Sequence, residues 1–187
     1  EAGRKLGIPV YNVPYHQKLL GEQSEAYMGL ADIHQYHPSK DAFGEADLVL
    51  MVGGRLDNQM NFGNPPLFPR RAELVCVNGS HEEVDFNRAA DVTLLCDPGA
   101  FLDALVSLGN AAHAGRDGDW FELNRQRRVE WVAKMHADVD TEAATPEFGG
   151  RIHPLHLALD VQDAMQNDDW LVIDGGNTHF WSEIAVN

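Results

Sequence analysis

The sequence predicts an α/β protein: a doubly wound parallel-sheet domain, followed by the start of a second α/β domain. In the N-terminal half, short apolar runs rich in β-branched residues alternate with helical patterns. Nearly continuous apolar strands are typical of a parallel sheet covered on both faces, because half-exposed strands alternate apolar with polar residues. Gly53-Gly54 and Asn78-Gly79 end two of these runs, as turns after buried strands do.

The chain is predicted to begin with the last turns of a helix that Gly7 terminates at the C′ position. Predicted strands then occupy residues 8–12, 47–52, 73–77 and 91–95, and predicted helices occupy residues 97–108 and 119–137. Because the sequence opens inside a helix without an initiator Met or an N-cap, we expect an internal piece of a longer protein. A trimmed, complete domain is the alternative.

A change of composition suggests a domain boundary. Residues 138–150 are polar and carry Pro146, Gly149 and Gly150, which predicts an interdomain linker between a central domain (1–137) and an incomplete second domain (151–187). In the second domain a helix is expected to begin at Pro154, a favoured first helical residue. A buried strand is predicted at 170–173, then a glycine turn, then a helix from His179.

Composition excludes some functions. The net charge is −15, which argues against nucleic-acid and anionic-membrane partners, since both need a basic surface. The sequence has no apolar run of about 18 residues, so no transmembrane helix is predicted. Cys76 and Cys96 lie in apolar runs and are predicted to be reduced core cysteines, as in a cytoplasmic protein.

The most informative segment is the turn at residues 174–178, between a predicted strand and a helix N-terminus. Gly175 and Gly176 allow a tight approach of the backbone, and Asn177 and Thr178 can donate hydrogen bonds to phosphate oxygens. Helix N-terminal N–H groups favour the same anion. The alternative is an ordinary connection in which Asn177 or Thr178 caps the helix.

A second candidate site follows the second predicted strand. Gly53 and Gly54 permit close backbone approach, and Arg55 can meet a phosphate or stack on an adenine. The segment lacks a full G-x-G-x-x-G fingerprint, so a tight turn with an exposed Arg is the alternative.

Two histidine pairs were considered as metal ligands. His34 and His37 lie in a segment that is predicted to be a loop, and His153 and His156 flank a predicted helix start. Neither pair has an obvious third ligand, so capping and packing roles are favoured and no metal site is predicted.

Four segments, in this order, resemble thiamine-diphosphate-dependent enzymes of the acetolactate synthase and benzaldehyde lyase group. They are residues 7–10 (GIPV), 45–57 (EADLVLMVGGRLD, similar to the family's EADLLLVVGARFDD), 87–92 (NRAADV) with Asp97, and 174–181 (DGGNTHFW). Relatives carry versions such as DVGQHQMW or GANT at the last segment. The resemblance covers nearly the whole chain.

The resemblance implies a Rossmann-like (DHS-like) central domain and the start of a diphosphate-binding domain. Gly176, Asn177 and Thr178 would contact the diphosphate of thiamine diphosphate, with Gly175 shaping the turn. The catalytic glutamate would belong to a preceding domain and the Mg²⁺-binding Gly-Asp-Gly…Asn segment would follow residue 187, so no catalytic residue is expected in this chain. Relatives act on small molecules as dimers or tetramers.

The central domain departs from the flavin-binding members of that group. Asn58 and Gln59 stand where relatives have Asp and Arg, Asn78 and Ser80 replace an acidic pair, and Cys96 replaces a glycine before Asp97. These differences make FAD doubtful and leave an adenine-nucleotide role or an empty vestigial site open.

The sequence is compatible with three functions. In the first, the chain is part of a thiamine-diphosphate- and Mg²⁺-dependent lyase or carboligase acting on 2-keto acids or 2-hydroxy ketones. The second is a non-catalytic FAD-, ADP- or NAD-binding module built on Gly53-Gly54-Arg55 with Asp97. The third is a structural domain that spaces and dimerises its neighbours.

Overall fold

A computed structural model describes residues 2–13, 20, 24–32, 36–112, 118–166 and 168–185. The strands are β1 (Val10–Asn12), β2 (Tyr27–Leu30), β3 (Leu48–Val52), β4 (Glu73–Asn78) and β5 (Val92–Leu95). The α-helices are α1 (Ala2–Leu6), α2 (His37–Glu45), α3 (Pro98–Ala112), α4 (Gly118–Ala143), α5 (Pro154–Ala164) and α6 (Asn177–Ala185). Short 3-10 helices span Asn58–Gly63 and Pro146–Phe148.

All strand pairs of the described residues are parallel, which confirms the predicted α/β class. β3, β4 and β5 form one sheet in that order, with Leu50 opposite Val75 and Val77 opposite Leu94. β1 and β2 form a second parallel pair. Parallel neighbours need crossover connections. The connection from β3 to β4 contains the 3-10 helix Asn58–Gly63, and the connection from β4 to β5 consists of turns and bends.

One strand and one α-helix of the N-terminal half were not predicted. β2 is fully buried but only four residues long, and Gly29 in its middle has φ 105°, so its apolar pattern is brief and interrupted. α2 includes Pro38 and Gly44, which weaken a helical pattern, although Pro38 sits in the first turn where its missing N–H costs nothing. His37 therefore begins a helix and does not lie in a loop.

The core of the sheet domain lies between β3, β4 and the segment that follows β3. Phe43 stacks on Phe68 with ring centroids 5.0 Å apart, beside buried Met60 and Leu74. Cys76 belongs to this core as predicted, and burial raises the pKa of its thiol.

The prediction for Cys96 was wrong, because its side chain is exposed. It follows β5, the last strand of its sheet, whose Val92 and Leu95 are 48% and 56% exposed. The expectation that every strand is covered on both faces therefore fails at β5. An edge strand has a neighbour on one side only, and α3 packs chiefly against α1.

The helix predicted at 119–137 continues to Ala143, so residues 138–143 of the predicted linker are helical. Their polar residues form the solvated side of α4, while Val139 is 4% exposed and packs among the C-terminal helices. The domain limits at 137 and 151 stay a prediction. No helix in the described part of the chain is long and apolar enough to cross a membrane.

The N-terminal half of α4 is fixed on the sheet domain by polar and aromatic contacts. The buried Asn124 accepts a hydrogen bond from the Tyr11 hydroxyl at 2.9 Å. Arg127 donates to both carboxylate oxygens of Glu45 at 2.8 Å. The Trp131 ring meets Tyr36 edge-on, with centroids 4.6 Å apart.

The C-terminal half of α4 packs with α5 and α6 around Val139, Leu155 and Ala185. α5 begins at Pro154 as predicted, and the His153 ring caps it, with Nδ1 accepting from the Leu155 N–H at 3.1 Å. This second cluster positions α6 and the turn that precedes it.

The strand predicted at 170–173 is not formed. The segment has no regular structure, and Trp170 and Val172 are 94% and 91% exposed. Its apolar residues are typical of a buried strand, but a strand requires a neighbour, and in the described residues none pairs with it.

Replacing Gly29 by Ala should destabilise the fold strongly. A Cβ at position 29 would lie 2.3 Å from Cζ of Tyr36, and φ is 105°. Strain and overpacking together predict a loss of about 2–5 kcal/mol in the free energy of unfolding, measured by urea titration. Gly44→Ala is the matched control, because its Cβ would meet nothing closer than 3.9 Å. Equal losses in the two variants would contradict this packing.

Replacing Tyr11 by Phe should change how stability depends on pH. Burial raises the pKa of Tyr11, with a further rise from Asp41 opposed by Arg127, so the folded state favours the neutral phenol. Above pH about 10 the unfolded state loses this proton first, and the wild type should lose up to about 1.4 kcal/mol per pH unit relative to Tyr11→Phe. Below pH about 9 the difference should be constant. If the free energies of unfolding of the wild type and Tyr11→Phe differ by a constant amount from pH 7 to 11, burial does not raise the pKa of Tyr11.

Candidate functional site

The glycine turn and the start of α6 form the principal candidate site. Gly176 has φ 89° and immediately precedes the helix, which begins at Asn177, two residues earlier than predicted. Asn177 and Thr178 therefore lie in the first helical turn. The choice between an anion site and an ordinary connection to the helix stays a prediction. The backbone N–H of His179 donates to the Gly176 carbonyl at 3.1 Å.

The outer side of this turn is open. A Cβ built on Gly175 or Gly176 would meet no atom within 4 Å, and residues 174–178 are all exposed. The N–H groups of Asn177 and Thr178 have no intrahelical acceptor, because they open the helix. An anion at this place would find an amide, a hydroxyl, two backbone donors and the positive end of the helix dipole.

The donors suit a diphosphate but cannot neutralise it alone. Asp174, beside the turn, is an acid whose Oδ1 accepts from the Gly175 N–H at 2.8 Å. Residues 174–178 therefore supply no positively charged side chain to neutralise a diphosphate. A divalent metal would have to balance the charge, and among the described residues no group of three or more His, Cys, Asp or Glu side chains could hold one.

The inner side of the same turn is closed by polar contacts that sequence reasoning missed. Ser182 Oγ donates to the Thr178 carbonyl at 2.9 Å. His179 Nε2 lies 3.2 Å from Oε1 of Glu183, whose side chain is completely buried. The spacing of four residues is a usable signal, because residues four apart are neighbours on a helix, but the sequence does not show which side of α6 is buried.

The second candidate site lies at the carboxyl ends of β3 and β4. Gly53 has φ 71° and its N–H donates to the Val77 carbonyl at 2.8 Å, while Gly54 lies against Val13. These glycines and Arg55 line a cavity of about 530 Å³. This edge of a parallel sheet is where doubly wound folds bind ligands.

Arg55 is engaged within the protein at this cavity. Its Nη2 lies 2.6 Å from Glu83 Oε1, and its guanidinium lies 5.2 Å from the centroid of Phe86. Asn78, at the end of β4, donates from Nδ2 to the Gly54 carbonyl at 3.5 Å. A ligand phosphate would have to compete with Glu83 for the guanidinium.

Asp97 is not brought into this cavity. Its Oδ1 accepts from the Ala100 N–H at 2.8 Å and its carbonyl accepts from the Phe101 N–H at 3.0 Å, so it opens α3. The structure thus assembles Gly53, Gly54 and Arg55 but gives Asp97 a capping role.

The histidine pairs have structural roles where they are described. His34 lies outside the described residues. His153 caps α5, and His156 pairs with Asp140 through an Nε2–Oδ1 distance of 2.9 Å. The favoured capping and packing roles are therefore those observed for the second pair.

The described chain is an α/β protein in which a parallel layer is joined through a long helix to a glycine turn at a helix N-terminus. Residues 1–105 match the model of the family described as thiamine pyrophosphate enzyme, central domain. The chain belongs to this family.

Relatives with described activities extend the similarity over almost the whole chain. The acetolactate synthase large subunit of Parasynechococcus marenigrum is 26% identical over 178 residues, covering 92% of this chain and 27% of that protein. The 2-hydroxyacyl-CoA lyase 2 of Danio rerio is 26% identical over 184 residues, covering 95% and 27%. The acetolactate synthase large subunit of Porphyra purpurea is 22% identical over 181 residues, covering 94% and 29%. The chain thus spans less than a third of each of these relatives.

Proposed function

We propose that this chain is part of a thiamine-diphosphate- and Mg²⁺-dependent lyase or carboligase acting on 2-keto acids or 2-hydroxy ketones. The observation that carries the proposal is the open turn at Gly175-Gly176, followed by Asn177 and Thr178 in the first turn of α6. Family membership makes thiamine diphosphate the expected anion at a turn of this kind.

In this proposal the chain anchors the cofactor and does not itself perform catalysis. Bound thiamine diphosphate supplies a nucleophilic carbon and an electron sink for carbonyl chemistry. Asn177 and Thr178 hold the diphosphate through side-chain and backbone donors, and Gly175 and Gly176 let the backbone approach it. The catalytic glutamate and the Mg²⁺ ligands would come from other segments, so this chain alone should be inactive.

The relatives support the chemical class but not one substrate. Two of them are acetolactate synthases and a third is a 2-hydroxyacyl-CoA lyase, so both synthesis and cleavage occur among proteins similar to this one. A cytoplasmic homodimer or homotetramer acting on small molecules is the form that we propose.

A second candidate function, nucleotide binding, is favoured by the cavity of about 530 Å³ beside Gly53 and Gly54. The Arg55–Glu83 pair argues against nucleotide binding, because Glu83 is already paired with the guanidinium that a phosphate would contact. An adenine nucleotide that displaces Glu83 remains compatible with the cavity, and FAD stays doubtful.

Replacing both Asn177 and Thr178 by Ala in the whole enzyme should weaken thiamine diphosphate binding. Each lost hydrogen bond to the charged diphosphate should cost about 1–3 kcal/mol, measured by calorimetric titration with Mg²⁺ present. Thr141→Ala is the matched control, since it removes an exposed helical hydroxyl that bonds only to the Ala137 carbonyl in α4. Unchanged affinity in the double variant would refute the anchor.

The purified whole protein should lack a stoichiometric flavin spectrum. Arg55 is paired with Glu83, and neutral Asn78 stands at the end of β4, so the described residues that line the cavity include no uncommitted cation for a flavin pyrophosphate. Absorbance at about 450 nm, where bound flavins absorb, measures this directly. One flavin per chain would contradict this reading of the cavity.

A further inference from the structure

Glu183 is an acid where an apolar residue would be expected. Its side chain is completely buried, and its neighbours Ile184 and Ala185 pack into the cluster formed by α4, α5 and α6. Burying a carboxylate costs free energy unless it is paired, and an apolar side chain of similar size would avoid that cost. Packing alone therefore does not account for an acid at position 183.

The partner of Glu183 lies one helical turn earlier, next to the proposed diphosphate anchor. His179 Nε2 is 3.2 Å from Glu183 Oε1, and only 14% of the His179 side chain is exposed. The two atoms lie within ion-pair distance of each other. The contact holds the His179 ring on the inner side of α6, opposite the exposed residues 175–178.

The anchor needs such a constraint because it begins with two adjacent glycines. Glycine has more conformational freedom than any other residue, so an unrestrained turn would have to be ordered when the ligand binds. Two hydrogen bonds and one close side-chain contact fix the following residues. The bonds are His179 N–H to Gly176 O at 3.1 Å and Ser182 Oγ to Thr178 O at 2.9 Å, and the contact is the His179–Glu183 pair at 3.2 Å. The outer donors are left open.

We infer that His179 and Glu183 are positioning residues, a buried pair that preorganises the turn at residues 175–178 to bind the diphosphate. The inference rests on the proposed function, since it assigns this pair a task at the same site. It predicts that the pair contributes to cofactor affinity more than to the stability of the cofactor-free fold.

The decisive variant replaces both members, His179→Leu with Glu183→Leu, in the whole enzyme. Replacing a buried polar pair by apolar side chains is often neutral for stability, so the unfolding midpoint without cofactor should stay near that of the wild type. The Kd for thiamine diphosphate with Mg²⁺ should rise about tenfold, because the turn is no longer held. Glu183→Gln keeps the length of the side chain and an oxygen beside His179, so its Kd should stay within about threefold of the wild-type value.

The matched control is Asp140→Leu with His156→Leu, which removes another carboxylate–histidine pair, with an Nε2–Oδ1 distance of 2.9 Å, between α4 and α5. This control should leave the Kd unchanged. Equal losses of affinity in both double variants would mean general loosening of the helices and would overturn the inference.

The remaining outcomes separate the two proposals. If Asn177→Ala with Thr178→Ala weakens thiamine diphosphate binding but the His179/Glu183 double variant does not, the positioning role is refuted and the proposed anchor is supported. If neither double variant weakens binding, both proposals are refuted. If the double variant does not fold, the comparison of Glu183→Asp with Glu183→Gln tests the inference. Glu183→Asp keeps the carboxyl group but shortens the side chain, so its Kd for thiamine diphosphate should exceed that of Glu183→Gln. Equal Kd values in these two variants would overturn the inference.

Discussion

The contact between α4 and the sheet domain determines the arrangement of the rest of the chain. Tyr11 and Asn124 form a shielded hydrogen bond, and Arg127 adds a two-oxygen ion pair with Glu45. Because a helix is stiff, fixing its first half also places its second half, where Val139 packs with α5 and α6. The glycine turn before α6 thereby has a fixed relation to the sheet.

The two candidate sites use their polar groups in opposite ways. At the turn of residues 175–178 the donors face solvent, and the His179–Glu183 pair is turned inward. At the end of β3 the cation itself, Arg55, is held by Glu83. The first arrangement leaves its donors exposed, whereas the second already has a carboxylate in place, which is why we propose the turn and not the cavity as the cofactor anchor.

The overall charge of −15 makes these local details decisive. A strongly acidic chain does not attract a diphosphate at a distance, but screening limits that repulsion to about 8–10 Å at physiological salt. Binding then depends on donors within hydrogen-bond reach and on a divalent cation. The open N–H groups at the start of α6 supply the donors, and we propose that other segments of the enzyme supply the metal ligands.

The sequence by itself determined the parallel α/β class, most strands, the start of α5 at Pro154 and the family, because these follow from local patterns and ordered motifs. It could not show that residues 170–173 lack a strand partner, that Cys96 is exposed, or that Asp97 caps a helix outside the cavity. Only the tertiary structure decided these, since pairing and burial depend on neighbours distant in the chain. The burial of Glu183 against His179 belongs to the same group: the spacing was visible, but not the side of α6 that faces inward.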